Sequence, residues 1–399
     1  MPTRSRPIPK SILSALSLPS DLSKITFSAH GFGSGFAATG HLTALVSVAE
    51  SNGTSSTATT SSTSQTEEKR HFFIKTSTNK SEGSSKDAAE MFRGEYMSLN
   101  AIADIVPELC PRALAYGKVE DDGGGGGSGS GTGNGGDNTW FLATEFLELK
   151  GTSRAGKSLA RRLAKLHSTP APLPPTQIGE GVVNVREEGG DENTPQYGFP
   201  VPTFCGDVRQ PNQFRRSWAD FYANQRLRTL LAECEKRNGY NKTLHDLVER
   251  TANEVVPRLL GDDHLGYDAN GNGNGIFPVV VHGDLWSGNT GRGRILRSKP
   301  MALTSGDGGE VGDVIYDPAG CYAHSEFDLG IMQMFGGFGP EFYEEYHRLV
   351  PKTEPVEEYE DRVLLYELYH HLNHHTIFGT GYRVGAIRMM QELLRKYGR

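Results

Sequence analysis

Cysteine is scarce: four in 399 residues, Cys110, Cys205, Cys234 and Cys321, with no C-x-x-C spacing among them. That excludes a disulfide framework and a zinc site of the usual thiolate spacing, and it fits a reducing compartment. No run of about 18 apolar residues occurs, and the N-terminus lacks the apolar stretch of a secretory signal, so no membrane partner is expected. Positive charge is not in excess. Lys and Arg total 41 against 48 Asp and Glu, a formal net charge of −7. A generally basic nucleic-acid binder is thereby excluded, and small polar solutes become the natural partners. The expectation is a cytoplasmic protein of undetermined oligomeric state. The opening "MPTRSRPIPKSILSALSLP", with Arg4, Arg6 and several serines, reads as a short tip and a first helix in preference to an organelle transit peptide.

Glycine, at 49 residues, is plentiful and unevenly spread. "SNGTSSTATTSSTSQTEEKR" (51–70) and "DDGGGGGSGSGTGNGG" (121–136) hold almost no apolar residues, so neither can offset its ordering entropy. Strand-like segments flank each: "HLTALVSV" and "HFFIK" the first, "RALAYGKV" and "TWFLATEFL" the second. Both stretches therefore read as long, flexible hairpin loops within a sheet. "DAAEMFRGEYMSLNAIADI" between them has helical spacing. Residues 1–150 thus form an expected small α+β lobe. From 151 to 399 the apolar pattern turns helical, interrupted by two short strand signals, "FPVVVHGD" and "VGDVIYDPAG", each ending in acids. A third polar loop is expected over Glu180 to Thr194.

The acids carry the chemistry. Asp284 and Asn289 stand five residues apart after the run Val279 to Val281, and Asp317 follows 33 residues beyond Asp284. Phosphoryl transfer from ATP needs a carboxylate to take or orient the acceptor's proton, and oxygen ligands for the Mg²⁺ that bridges the phosphates. The spacing matches the H-x-D…N loop of protein kinases, with His282-Gly283-Asp284 in place of His-Arg-Asp, and Asp317-Pro318-Ala319 in place of Asp-Phe-Gly. A capped turn would also explain an isolated H-G-D; Asn289 and Asp317 together favour the catalytic reading. The nucleotide half is legible upstream. "GFGSGFAATG" is a glycine-rich hairpin in which Gly33 and Gly35 let backbone approach phosphates. Lys75 ends the apolar strand "HFFIK", and Glu95 lies on the helix that follows, the pairing by which kinases hold α- and β-phosphates. The adenine is expected against backbone at Glu145, Phe146 and Leu147, whose side chains serve packing. His370, His371, His374 and His375 contain an i, i+4 pair, but with no nearby acid or cysteine in sequence they are read as packing or surface residues, without zinc.

These segments resemble the fructosamine-3-kinase, or ketosamine-3-kinase, family. The blocks "FIK", "MFRGEYMSL", "LAKLH", "YGFPVPTFCGD", "SWADFYANQRL", "HGDLWSGN", "YDPAGCYAHSEFDLG", "FGGF" and "LYHHLNHHTIFGTGY" occur in that order. The resemblance implies a protein-kinase-like two-lobed fold. It also implies ATP- and Mg²⁺-dependent phosphorylation of the C3 hydroxyl of ketosamines, ribulosamine first, then erythrulosamine or fructosamine, on glycated protein lysines or small glycated amines. By position it makes Asp284 the base, Lys75 and Glu95 the phosphate clamp, and Asn289 and Asp317 the Mg²⁺ ligands. Trp286 is implied to line the sugar pocket, with His282 as a second substrate-site residue. Glu326 and Asp328 are expected to brace the loop and cap a helix. Phe36 stands where some members carry a loop cysteine, so redox control is not carried over. An aminoglycoside- or choline-type kinase and a nucleotide-binding pseudokinase are the alternatives; Trp286 and the "YGFPVPTFCGD" block count against the first, and the intact acids against the second.

Overall fold

The computed structural model describes residues 8–32, 37–49, 65–77, 84–120, 139–153, 155–179, 181–189, 191–297, 310–379 and 381–399. The expected 121–136 loop and the glycines 33 and 35 lie outside these residues. The chain divides into two compact units, one of Met1–Phe92, Pro111–Glu148 and Arg294–Glu310, the other of Arg93–Cys110, Leu149–Gly293 and Val311–Arg399.

In the first unit the short helix α1 (Lys10–Ala15) precedes β1 (Ile25–Phe32), β2 (Ala37–Ala49) and β3 (Gln65–Ser77); helix α2 (Ser84–Ile105) follows, belonging to the second unit from Arg93 on, then β4 (Ala113–Lys118) and β5 (Trp140–Gly151), of the first unit up to Glu148. The strands pair antiparallel in the order β1-β2-β3-β5, with β4 on the far side of β5. Period-two alternation decides which face is dry. Leu42, Ala44, Phe72, Ile74, Phe141 and Ala143 pack with Ile12 and Leu13 of α1 into one core. Lys75 therefore belongs to the opposite face, in register with Thr39 on one side and Leu142 on the other. One expectation needs correction: the Ser/Thr-rich loop does not run to Arg70. Gln65 to Arg70 are already strand, paired from Gln65↔Ala49 to Arg70↔Ala44. A ladder needs backbone partners more than apolar side chains, and polar residues such as Glu67, ion-paired to Lys24 at 2.8 Å, suit its wet end.

The second unit is mainly helical: α3 (Lys157–Ser168), α4 (Trp218–Phe221), α5 (Thr229–Asn238), α6 (Lys242–Arg250), α7 (Val256–Leu260), α8 (Phe327–Phe335), α9 (Pro340–Leu349), α10 (Tyr359–Phe378) and α11 (Arg383–Tyr397). A π-helical turn, Tyr222–Arg228, joins α4 to α5. Among the described residues it holds six strands, not two, β9 only up to Gly293: β6 (Thr203–Cys205), β7 (Val208–Gln210), β8 (Val279–Val281), β9 (Thr290–Leu296), β10 (Gly312–Ile315) and β11 (Cys321–Ala323). Three-residue strands are too short to show a period, which is why β6, β7 and β11 escape a sequence reading. The 181–194 segment forms no helix or strand where described. Trp218, fully buried, donates its indole N–H to the Tyr366 hydroxyl at 2.8 Å and lies against Phe221, Tyr222 and Phe327. Gly330 lets α8 meet α10 closely, since a Cβ there would stand 2.7 Å from the Glu367 nitrogen. No helix of the described residues is long and apolar enough to cross a membrane.

Glu326 does not cap α8. Its carboxylate instead accepts from Arg362, Nε to Oε2 at 2.8 Å and Nη2 to Oε1 at 3.2 Å, and from the Thr353 N–H at 2.8 Å. Both partners of the ion pair are buried, at 3% and 0% side-chain exposure. Burial pushes the Glu326 carboxyl up, but His324 and Arg362 outweigh it and hold it below its ordinary value. Since the folded state then binds this proton less tightly than the unfolded chain, the stabilisation is complete above the ordinary carboxylate range and lost as pH falls through the folded value. Arg362→Leu, which strands Glu326 in the interior, is expected to cost about 3–5 kcal/mol. Urea unfolding measures this, and the deficit should shrink at acid pH, where Glu326 takes a proton, and in the double variant with Glu326→Leu.

Candidate active site

Two nested ladders build the site. β8 pairs antiparallel with β11 (Val281↔Cys321), and β9 with β10 (Thr290↔Ile315). Leaving β8, the chain makes the 282–289 loop and enters β9; leaving β10, it makes the 316–320 loop and enters β11. Pairing inner with inner and outer with outer sets the two loops side by side. Backbone bonds fasten them: the Ala319 N–H to the His282 carbonyl at 2.8 Å and the Tyr316 N–H to the Asn289 carbonyl at 3.1 Å. Gly283 has φ +79, and a Cβ there would lie 2.2 Å from the Ala319 oxygen, so close approach and left-handed backbone both require glycine. From α2, the Ser98 hydroxyl accepts the Gly320 N–H at 3.1 Å and donates to the Gly94 carbonyl at 2.7 Å, anchoring the second loop.

Asp328, in the first turn of α8 and buried, holds the first loop. Its Oδ2 accepts the His282 N–H at 2.8 Å and its Oδ1 the Gly283 N–H at 2.7 Å; His167 of α3 approaches Oδ2 at 3.2 Å and meets the Tyr346 hydroxyl at 2.8 Å on its other nitrogen. Burial raises the Asp328 carboxyl, but the His167 hydrogen bond and charge, then His282, prevail and keep it ionised below its usual range.

His282 is fully buried. Burial holds its imidazole below the ordinary value, hence neutral. Nδ1 accepts the Asp284 N–H at 3.3 Å, and Nε2 reaches the Tyr316 carbonyl at 3.0 Å. Both nitrogens being used within the two loops, His282 is a positioning residue, which corrects the expectation of a substrate contact. Asp284 is half-buried. Burial pushes its carboxyl up and neighbouring Asp317 adds to that, while hydrogen bonds from Asn289 and the Cys205 thiol pull it down; it stands at about 7. Asn289 Nδ2 donates to the Asp284 carbonyl at 2.9 Å and to Oδ2 at 3.2 Å. That commits the amide nitrogen and leaves the oxygen as the end suited to a hard cation. Asp317 is exposed with φ +57, a conformation rare outside glycine but tolerated by aspartate. The Asp317 carboxylate and the Asn289 amide oxygen are hard oxygen donors of the kind that fits Mg²⁺.

Trp286 is half-buried, tilted on Phe335 with centroids 5.3 Å apart; Phe335 in turn meets His374 at 5.3 Å, and His374 meets Tyr382 at 5.0 Å. The indole covers Gly288 so closely that a Cβ there would lie 2.2 Å from it. In the first unit, Lys75 is half-buried on β3, and the Glu145 N–H is taken by the Arg112 carbonyl at 2.9 Å while its Oε2 accepts the Arg112 N–H at 3.0 Å. Phe146 stacks on His41 at 3.7 Å, and Leu147 is half-buried. Glu95, on α2, falls in the second unit. Sequence reasoning gave no site role to Cys205 or Tyr369, and it read His370 as a packing or surface residue. Cys205 donates to Asp284 and, through Tyr369, touches a buried polar chain: Gln210 Nε2 to the Tyr369 hydroxyl at 2.5 Å, the Thr203 hydroxyl to Gln210 at 2.9 Å, Asn212 to Thr203 at 2.7 Å and Arg226 to Asn212 at 2.8 Å. The one signal of this was that "YGFPVPTFCGD" carries several polar residues amid apolar ones.

A carboxyl near neutrality, an amide and a second acid thus stand at paired strand ends. Residues 39–396 match the family model described as fructosamine kinase. The chain is 32% identical to mouse ketosamine-3-kinase over 317 residues, covering 78% of this chain and 85% of that protein. It is 30% identical to a chloroplastic protein-ribulosamine 3-kinase of Oryza sativa subsp. japonica over 325 residues, covering 81% and 72%. The fold is shared with a solved structure from Thermobifida fusca, provisionally described as a fructosamine-3-kinase, at 18% identity and a TM-score of 0.60, covering 97% of this chain and 98% of that one. The chain belongs to the fructosamine kinase family.

Gly283→Ala should cost about 1–3 kcal/mol, from its strained φ and the clash with Ala319, and lower the melting temperature. Gly151→Ala, where a Cβ meets nothing within 4 Å, should stay within about 0.5 kcal/mol of the parent.

Proposed function

We propose that the chain is an ATP-dependent ketosamine 3-kinase that phosphorylates the C3 hydroxyl of sugar-derived ketosamines on lysine side chains or small amines. The observation that carries this reading is the juxtaposition of Asp284, Asn289 and Asp317 by the nested ladders, in a member of a family whose relatives are named for ketosamine and ribulosamine phosphorylation.

Asp284 accepts the hydroxyl proton as the sugar oxygen attacks the γ-phosphoryl group. A carboxyl standing near 7 is a stronger base than an ordinary aspartate, and proton acceptance by a positioned group contributes about 10²–10⁴-fold to rate. Asn289, by donating to Asp284, orients that carboxylate and turns its own oxygen outward. Mg²⁺, held by Asn289 and Asp317, would offset phosphate charge and the mutual repulsion of the two acids. Lys75 would hold the α- and β-phosphates with Glu95 as its counter-charge, and Gly33 and Gly35 would admit backbone to them. The adenine would meet backbone at Glu145, Phe146 and Leu147, with the Glu145 N–H already given to the Arg112 carbonyl. Trp286, backed by Phe335, offers a π-face to the apolar C–H edge of a sugar. A phosphate on C3 stands next to the C2 carbonyl; enolisation toward C1 expels it, and hydrolysis then frees the amine, so transfer alone commits the adduct to removal. The four cysteines are free and buried, which supports a reducing, cytoplasmic setting, although the rice relative is named chloroplastic.

Incubation of the full chain with Mg-ATP and ribulosamine- or fructosamine-modified lysine should release ADP and yield a sugar 3-phosphate by phosphorus NMR. Turnover on an aminoglycoside or choline, and on neither ketosamine, would refute the reading. Asp284→Asn should lower kcat by about 10²-fold or more and leave the nucleotide dissociation constant within a few-fold. Lys75→Met should raise that constant.

A further inference from the structure

His370, in the middle of α10, is fully buried, and neither of its ring nitrogens has a hydrogen-bond partner. A buried imidazole left unsatisfied on both nitrogens carries an uncompensated desolvation cost. A ring nitrogen of His370, the Cys205 sulfur and an Asp284 carboxylate oxygen all lie within 4.8 Å of one another. Burial keeps the imidazole neutral, the form that binds metals. The three residues come from the end of β6, the catalytic loop and a helix, positions 205, 284 and 370. No spacing rule groups them, and of the four histidines that the sequence singled out as holding an i, i+4 pair only His370 takes part, with partners remote in the chain.

We propose that Cys205, Asp284 and His370 form a binding site for one divalent cation of the Zn²⁺ class, separate from the Mg²⁺ donors Asn289 and Asp317, and that occupancy of this site silences the kinase by sequestering Asp284. The donor set decides the metal class. Thiolate and imidazole select zinc, cobalt or cadmium over magnesium, which prefers oxygen alone. Charge balance fits as well: a thiolate and a carboxylate carry two negative charges, which a divalent ion neutralises in a buried setting. As the sulfur–metal bond forms, the Cys205 thiol gives its proton to solvent, and no electron is transferred. Bonds of about 2.0–2.3 Å in a tetrahedral site place ligand atoms about 3.3–3.8 Å apart, so the trio contracts modestly by side-chain rotation. Three protein ligands leave a fourth position for water. Binding does not depend on the ketosamine reading; the silencing does, because it requires Asp284 to be the base.

The test is titration of the full chain with Co²⁺, in the absence of nucleotide and substrate. One equivalent should produce a thiolate-to-cobalt charge-transfer band and the intense visible bands of four-coordinate cobalt, both displaced by Zn²⁺. Cys205→Ser should abolish the charge-transfer band, His370→Gln should weaken cobalt binding more than about tenfold, and Cys234→Ser should retain both. In the kinase assay at saturating Mg-ATP, Zn²⁺ should inhibit, with the half-inhibitory concentration raised at least about tenfold in His370→Gln. Absence of the band in a large excess of cobalt, or a band unchanged by both substitutions in folded variants, overturns the site. Cobalt binding without turnover on any ketosamine overturns the functional reading and leaves the site standing; ketosamine turnover without cobalt binding does the reverse.

Discussion

The candidate active site depends on one buried carboxylate that never meets a substrate. Asp328 takes the backbone N–H groups of His282 and Gly283 on its two oxygens, at 2.8 and 2.7 Å, and thereby fixes the chain direction immediately before Asp284. A loop that must turn sharply after a buried strand leaves amide groups unpaired where water cannot reach, and each such group is costly. A charged acceptor answers two of them at once, and His167 stabilises its charge from the opposite side. The position of Asp284 is thus set by a helix terminus and a second helix rather than by the loop's own sequence.

Much of this was legible before any coordinates. The strand and helix content of the first unit followed from apolar alternation, and the grouping of Asp284, Asn289 and Asp317 followed from spacing, because strand-end acids at those intervals have few purely structural uses. Asp328 was legible as a brace from its block, but Glu326, two residues earlier, was assigned a cap that it does not form. Its actual partner, Arg362, is 36 positions away on another helix, and no local pattern announces a long-range ion pair. His282 misled for a related reason. A histidine before a catalytic acid looks chemical, and only the burial of its ring and the carbonyl of Tyr316 show that its work is to hold two loops together.

The residues that escaped altogether share a physical character. Cys205 and Tyr369 are apolar or weakly polar by sequence criteria and sit in segments whose periodicity marks them as core, and they are core; His370, read as a packing or surface residue, is fully buried beside them. What sets them apart is adjacency to Asp284, a property of tertiary structure alone. Sheet β6–β7 illustrates the point. Three residues per strand carry no period, yet the hairpin delivers Cys205 to Asp284 and Gln210 to Tyr369.

The nested ladders have one more implication. Residues 297 and 310 follow β9 and precede β10, at the ends of those strands remote from the acid-bearing loops, while the spatial relation of Asp284 and Asp317 is set by strand register. Sequence distance between the two acids is therefore a free variable, able to lengthen or shorten at that connection at little entropic cost, whereas their separation in space is quantised by the ladder. A lineage could vary the one without ever sampling intermediate values of the other.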